Sequence, residues 1–206
     1  MCKKRLGFEN RTMIMERLKA MLGFGAILSE RDIAIILEHF QVRVYRPEDY
    51  FLEYGEVVQE IGFVEKGIVR IYKPDRDGNE VTKYFFRENQ FFTDLESYYS
   101  GMPSSEALQA VVDSEIYAIR KTVINKLTEE IPNFFIFLKT ITEATLLNKI
   151  KDNDFLNFGD AKTKYREFLS RYPDLALHIP QHFIASYLKI TPQSLSRIRR
   201  EIAKKG

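Results

Sequence analysis

The sequence predicts an α+β chain made of an N-terminal jelly-roll-like β-roll, one long helix and a C-terminal helix-turn-helix. Three observations predict it. Short alternating or β-branched runs separated by turn residues fill positions 42 to 119; helical spacing then runs for about twenty residues after Pro132; and residues 181 to 200 hold two short helical segments with a capped restart between them. With 206 residues, 45% hydrophobic and 13% aromatic, the chain has enough apolar material for a core.

Two helices are expected first, from Arg11 to Leu22 and from Ser29 to Phe40. In the second, Ile33, Ile36, Leu37 and Phe40 recur at helical steps, and Ser29 with Asp32 three residues on marks its start. The runs "VVQEIGFV", "GIVRIYK", "EVTKYFFR" and "EALQAVVDSEIYAI" then read as the strands of a compact all-β unit from Val42 to Ile119. Asp77-Gly78-Asn79 supplies a hairpin turn, because glycine gives the positive φ that tight turns require, so its flanking runs should pair antiparallel. Gly55, Gly62 and Gly67 mark corners of a twisted sheet. Pro132 suits the first position of the long helix, where its missing N–H is no loss.

That helix places Phe134, Phe137, Leu138, Ile141, Ala144, Leu147 and Ile150 around more than half its circumference, too wide a face for one neighbour. Either a second copy of the helix covers the remainder across a two-fold axis, or the helix is buried on both sides within one monomer. Gly159-Asp160 breaks the pattern, and "AKTKYREFLSRYP" is a further helix stopping at Pro173. The expected divisions are a β-roll domain over 1–131, the long helix over 132–158 and a terminal helical domain over 159–206.

Net charge is only +2, but it is unevenly distributed: residues 160–206 carry a local net of +6 and residues 46–130 a local net of −7. A sensor joined to a polyanion binder has this profile, and a solvated basic tail shares it. Cys2 is the single cysteine, which leaves no internal disulfide and no thiolate cluster for iron–sulfur chemistry and suggests a cytoplasmic address. No apolar run reaches the roughly 18 residues of a membrane span, and "MCKKRLGFENRTMIM" lacks the apolar core of a secretory leader. A metal-dependent barrel enzyme would need His and carboxylate ligands on its strands, yet Val42 to Ile119 contains no His. His39, His178 and His182 fall on expected helices or near the basic end and read as ordinary histidines rather than haem ligands. No enzyme activity, metal or cofactor is therefore expected.

The segment from Gln181 to Arg200 has the residues a helix-turn-helix requires. Ala185 is small enough for two helices to cross, Ile184, Leu188, Ile190, Leu195 and Ile198 occupy apolar positions, and Thr191 and Pro192 are an N-cap and a first helical residue. With Leu195 and Ile198 turned inward, Gln193, Ser196, Arg197 and Arg200 form one outward face. Arg matches guanine O6 and N7, Gln matches adenine N6 and N7, and Ser permits close approach. Thr191, Ser194, Arg199 and Lys189 are the candidates for phosphate contact. Lys189 stands where such turns often use glycine, at a cost of about 1 kcal/mol if its conformation is left-handed.

In this order of parts the chain resembles the Crp/Fnr family of transcription regulators. "ITPQSLSRIRREI" is similar to the family's recognition helix, and "FVEKGIVRIYKPDRDGNEVTKYFFRENQFF" to its cyclic-nucleotide-binding-type roll. The resemblance implies a homodimer joined through the long helix, bound to a palindromic site on double-stranded DNA, and it admits RNA polymerase as a further partner. The family's phosphate cassette corresponds to "FFTDLESYYSGMPSSEALQA", so the resemblance makes Thr93, Asp94, Leu95, Ser104 and Ser105 the candidate effector residues. Ser104 falls where the cassette has its phosphate-binding Arg, and Glu106 adds an acid, so cyclic AMP should not bind in the usual way and the effector stays unnamed. Family members continue into a β-hairpin wing where this sequence ends at "EIAKKG"; a shortened winged-helix unit is expected, with Lys204 and Lys205 giving phosphate contact in the wing's place. A ligand-binding or protein-interaction module without sequence-specific DNA binding is the alternative reading of the basic end.

Overall fold

The computed structural model describes residues 15–157 and 159–204. Cys2, Arg11 and Lys205 lie outside them. Helix α1 (Glu16–Leu22) leads through a short 3-10 turn to α2 (Glu30–Glu38), which begins as the sequence suggests: Ser29 Oγ accepts from Asp32 N at 3.1 Å and donates to the Asp32 carboxylate at 2.7 Å.

The roll consists of β1 (Gln41–Tyr45), β2 (Tyr50–Leu52), β3 (Glu60–Lys66), β4 (Val69–Pro74), β5 (Glu80–Phe86), β6 (Phe91–Phe92), β7 (Ala107–Ala110) and β8 (Ser114–Arg120). Its strands form two antiparallel sheets in the orders β1-β8-β3-β6 and β2-β7-β4-β5. Val64, Val69, Ile71, Phe86, Leu108 and Ile116 form the core shared by the two sheets. The β4–β5 hairpin turns as expected: Gly78 has φ 83°, and the Asp75 carboxylate accepts from Asp77 N and Asn79 N. At Gly62 a Cβ would lie 2.3 Å from the Phe92 ring, so only glycine lets β3 and that ring approach so closely.

The interval from Val42 to Ile119 is not wholly β. Helix α3 (Leu95–Ser100) interrupts it, and α4 (Lys121–Glu130) follows β8 directly. The long helix α5 (Phe134–Asn157) begins two residues after Pro132, which therefore lies outside the helix rather than at its first position; the Asn133 carbonyl accepts from Phe137 N. At 24 residues, α5 is about 36 Å long. Its Phe134 and Phe137 pack with α1, α2 and α4, and its Phe155 and Leu156 join the C-terminal core. Between these ends Leu146, Leu147 and Ile150 face solvent, as do Phe135 and Ile136 earlier in the helix.

Asp160 caps α6 (Ala161–Arg171) by accepting from Thr163 N at 2.7 Å. Pro173 does not simply stop this helix: it opens a new one, α7 (Pro173–His178), at the position where proline is best tolerated. Helices α8 (Gln181–Tyr187) and α9 (Pro192–Ala203) complete the chain. Among the described residues no helix is long and apolar enough to cross a membrane.

The C-terminal helices rest on the roll. β5 is the edge strand of its sheet, and the Ser186 hydroxyl of α8 satisfies that edge: it accepts from Thr82 N and donates to the Glu80 carbonyl, each at 2.9 Å. The Tyr187 ring meets Phe85 edge-on at 5.3 Å. Arg70 of β4, only 2% exposed, donates through Nε and Nη2 to Gln109 Oε1 at 2.9 and 2.6 Å and pairs with Glu80. Its guanidinium carbon lies 4.1 Å from the Tyr72 ring centre and 3.7 Å from that of Phe183 in α8.

Candidate functional site

The turn between α8 and α9 is set by local chemistry. Ala185 is fully buried, as a close helix crossing demands, and shares a core cluster with Ile184, Leu188, Leu195 and Ile198, against which Ile190 packs. Lys189 has φ 56°, so the left-handed residue is indeed the lysine, and the chain closes through Ile190 N donating to the Ala185 carbonyl at 3.0 Å. Thr191 Oγ then accepts from Ser194 N at 3.1 Å, with Pro192 in the first helical turn.

Anchoring α9 through Leu195 and Ile198 fixes where its other residues point. Gln193, Arg197 and Arg200 are exposed and Ser196 is half-buried, and this face meets no carboxylate in an ion pair among the described residues. At the helix start Thr191 is exposed and Ser194 half-buried; Arg199 is half-buried on the flank. Exposed Lys189 reaches Asn157 Oδ1, at the end of α5, at 3.4 Å. Lys162 of α6 adds a cation that the sequence reading did not assign to the site; it is paired with Glu201 of α9 at 2.7 Å. The resulting surface is a rod with two guanidinium groups and an amide on one side and hydrocarbon on the other. It can donate to bases or phosphates with little rearrangement.

The second group of candidate residues lies in the roll. Asp94, 5% exposed, accepts from Glu96 N at 2.9 Å to cap α3, and the Ser104 hydroxyl bonds to its other carboxylate oxygen. Ser104 Oγ also accepts from Glu106 N at 3.0 Å, and the Glu106 carboxylate pairs with Lys83. Thr93 is buried and donates to the Glu60 carbonyl at 3.3 Å, Leu95 is partly exposed and Ser105 half-buried. The stretch thus satisfies itself around a buried carboxylate, and Ser104, which the resemblance puts in place of a phosphate-binding Arg, is already bonded to it.

Beside this stretch α5 presents Lys149. Its ammonium lies 5.5 Å from the Tyr84 ring centre and 5.3 Å from that of Phe86, and burial pushes it below the ordinary lysine range, with Glu106 opposing the shift. The sequence offered one signal for it, a lysine at helical spacing from Ile141 and Thr145. Among the described residues no three His, Cys, Asp or Glu side chains are gathered as a metal site would gather them.

The family model of the cyclic nucleotide-binding domain matches residues 42–130. A curated relative, the cyclic AMP receptor protein of Thermus thermophilus, is 22% identical over 183 residues, covering 87% of this chain and 84% of its own. FixK2 from Bradyrhizobium japonicum superimposes with a TM-score of 0.68 at 21% identity, covering 81% of this chain and 86% of its own. The c-di-GMP-responsive global regulator CLP of Xanthomonas campestris gives 0.67 at 16%, over 86% and 93%. The chain has the Crp/Fnr fold. Within the Crp/Fnr arrangement α5 is the long helix after the roll, and α8 and α9 are the terminal pair.

Proposed function

We propose that the chain is a homodimeric, sequence-specific DNA-binding transcription regulator, with α9 as its recognition helix. The observation that carries this reading is the amphipathic build of α9: Leu195 and Ile198 are buried, while Gln193, Arg197 and Arg200 stand in solvent on one face. Gln193, Ser196, Arg197 and Arg200 meet base edges in the major groove, and Thr191, Ser194, Arg199 and Lys189 fix the register on phosphates. Residues 1–131 are the sensory part, 132–158 the dimer helix and 159–206 the DNA-binding part. Dimerisation is supported by the middle of α5, where Leu146, Leu147 and Ile150 are each at least half exposed, an apolar stripe that a two-fold related helix would cover. RNA polymerase is a fitting partner for a regulator of this type.

The self-satisfied cassette supports a roll that does not take cyclic AMP in the usual way, since Asp94 and Ser104 already hold each other. Selection of bound fragments from random DNA, followed by footprinting, tests the reading. A two-fold symmetric site protected on both half-sites is expected. Binding that salt abolishes without any preference among sequences would favour a general polyanion or protein-interaction surface instead.

A further inference from the structure

Helix α9 carries a single acid: its sequence, PQSLSRIRREIA, sets Glu201 beside Arg197, Arg199 and Arg200. At about 100° per residue, Glu201 stands about 40° around the helix from Arg197 and about 60° from the buried Ile198, on the border between the outward face and the core. It also follows Arg197 by four residues, the spacing at which a carboxylate and a guanidinium on one helix meet. Left to that pairing, Glu201 would draw Arg197 away from a base edge and turn a negative charge toward phosphates.

The fold offers this carboxylate a partner on another helix. Glu201 Oε2 accepts from Lys162 Nζ of α6 at 2.7 Å. Local chemistry brings Lys162 there. Gly159 turns the chain at φ 91°, Asp160 caps α6 through Thr163 N, and Tyr165 and Phe168 anchor α6 in the core cluster that also takes Leu195 and Ile198. Three residues before the buried Tyr165, Lys162 lies where α6 packs on α9, with its side chain 30% exposed and that of Glu201 59% exposed. The lysine stem is largely covered, while the carboxylate it holds stays at the rim of the face.

We propose that Lys162 is a positioning residue for DNA recognition: it holds the Glu201 carboxylate against α6, which keeps the Arg197 guanidinium available and screens the one acid of α9, without itself touching DNA. The inference rests on α9 being the recognition helix and deepens that reading. Because partly exposed ion pairs add little to stability, removing Lys162 should leave folding nearly unchanged while DNA affinity falls.

Affinity for the selected DNA site, measured by fluorescence anisotropy on the full chain at fixed salt, tests this with Lys162→Ala, Glu201→Gln and the double variant. Lys162→Ala should weaken binding about three- to tenfold, and Glu201→Gln should bind at least as tightly as the parent. The double variant should return to the Glu201→Gln affinity, with urea midpoints confirming that all three fold like the parent. In the DNA-free protein the Arg197 Nε–H resonance should shift in Lys162→Ala, as Glu201 moves onto it, and not in the double variant. Lys162→Ala binding within about twofold of the parent, an unshifted Arg197 resonance, or a loss that persists in the double variant would overturn the proposal, the last by making Lys162 a phosphate contact. A parent protein with no preference among sequences would overturn the recognition-helix reading and this inference with it; a selective parent with an indifferent Lys162→Ala would overturn this inference alone.

Discussion

Replacing Arg70 by Met removes a side chain that touches both neighbouring strands and α8. In the folded protein its guanidinium is sandwiched between the Tyr72 and Phe183 rings and satisfies Gln109 Oε1 twice. A desolvated cation–π contact contributes about 2 kcal/mol. A buried amide oxygen left without a donor costs about 1–3 kcal/mol. Glu80, the ion-pair partner, is 44% exposed and returns to water, so its loss adds little. Methionine refills part of the volume and recovers about 1 kcal/mol of this, giving a net loss of about 2–4 kcal/mol. Urea unfolding followed by circular dichroism measures it. Phe183→Leu removes the ring on the α8 side, so the two substitutions together should cost less than their sum, by about 1 kcal/mol or more. A loss under about 0.5 kcal/mol, or strict additivity with Phe183→Leu, would mean that Arg70 does not hold α8 to the roll.

Leu195→Ala empties a fully buried position under α9 and should cost about 2–5 kcal/mol in urea unfolding. Thr191→Ala deletes the cap bond to Ser194 N and should cost about 1 kcal/mol by the same assay, with Thr191→Ser close to neutral. Asp160 is held below the usual carboxylate range, chiefly by the backbone N–H of Thr163 and then its side chain. A carboxyl depressed on folding adds stability above its unfolded pKa of about 4, and that contribution is lost as pH falls through its lower folded value. Asp160→Asn should therefore flatten the acid limb of the stability–pH profile, read from urea midpoints, and an unchanged limb would contradict the assignment.

The α8–α9 unit was legible in the sequence because each of its requirements is local: a small residue at Ala185, a cap at Thr191, proline at position 192 and apolar residues three or four apart within each helix. Even the strained turn residue could be named, and Lys189 does adopt φ 56°. The β4–β5 hairpin was legible for the same reason. Helices α3, α4 and α7 were not, since six to ten residues give fewer than three turns of periodicity, and Pro173 marks a helix start as readily as a stop. Arg70 alternates with apolar neighbours in "GIVRIYK" and so reads as the solvent side of a strand; it is buried because α8, more than a hundred residues later, covers that face. The cassette's closure through Ser104 and Asp94, and the placing of Lys149 against Tyr84 and Phe86, likewise depend on contacts between distant segments that no periodicity records.

The affinity of Arg197→Ala for a panel of single-base variants of the selected site tests the central claim most directly. A guanidinium reading one base pair in each half-site should cost roughly 1–3 kcal/mol when removed and erase discrimination at that position alone, with salt dependence nearly intact. A uniform loss across the panel, or selectivity identical to the parent protein, would contradict base reading by α9.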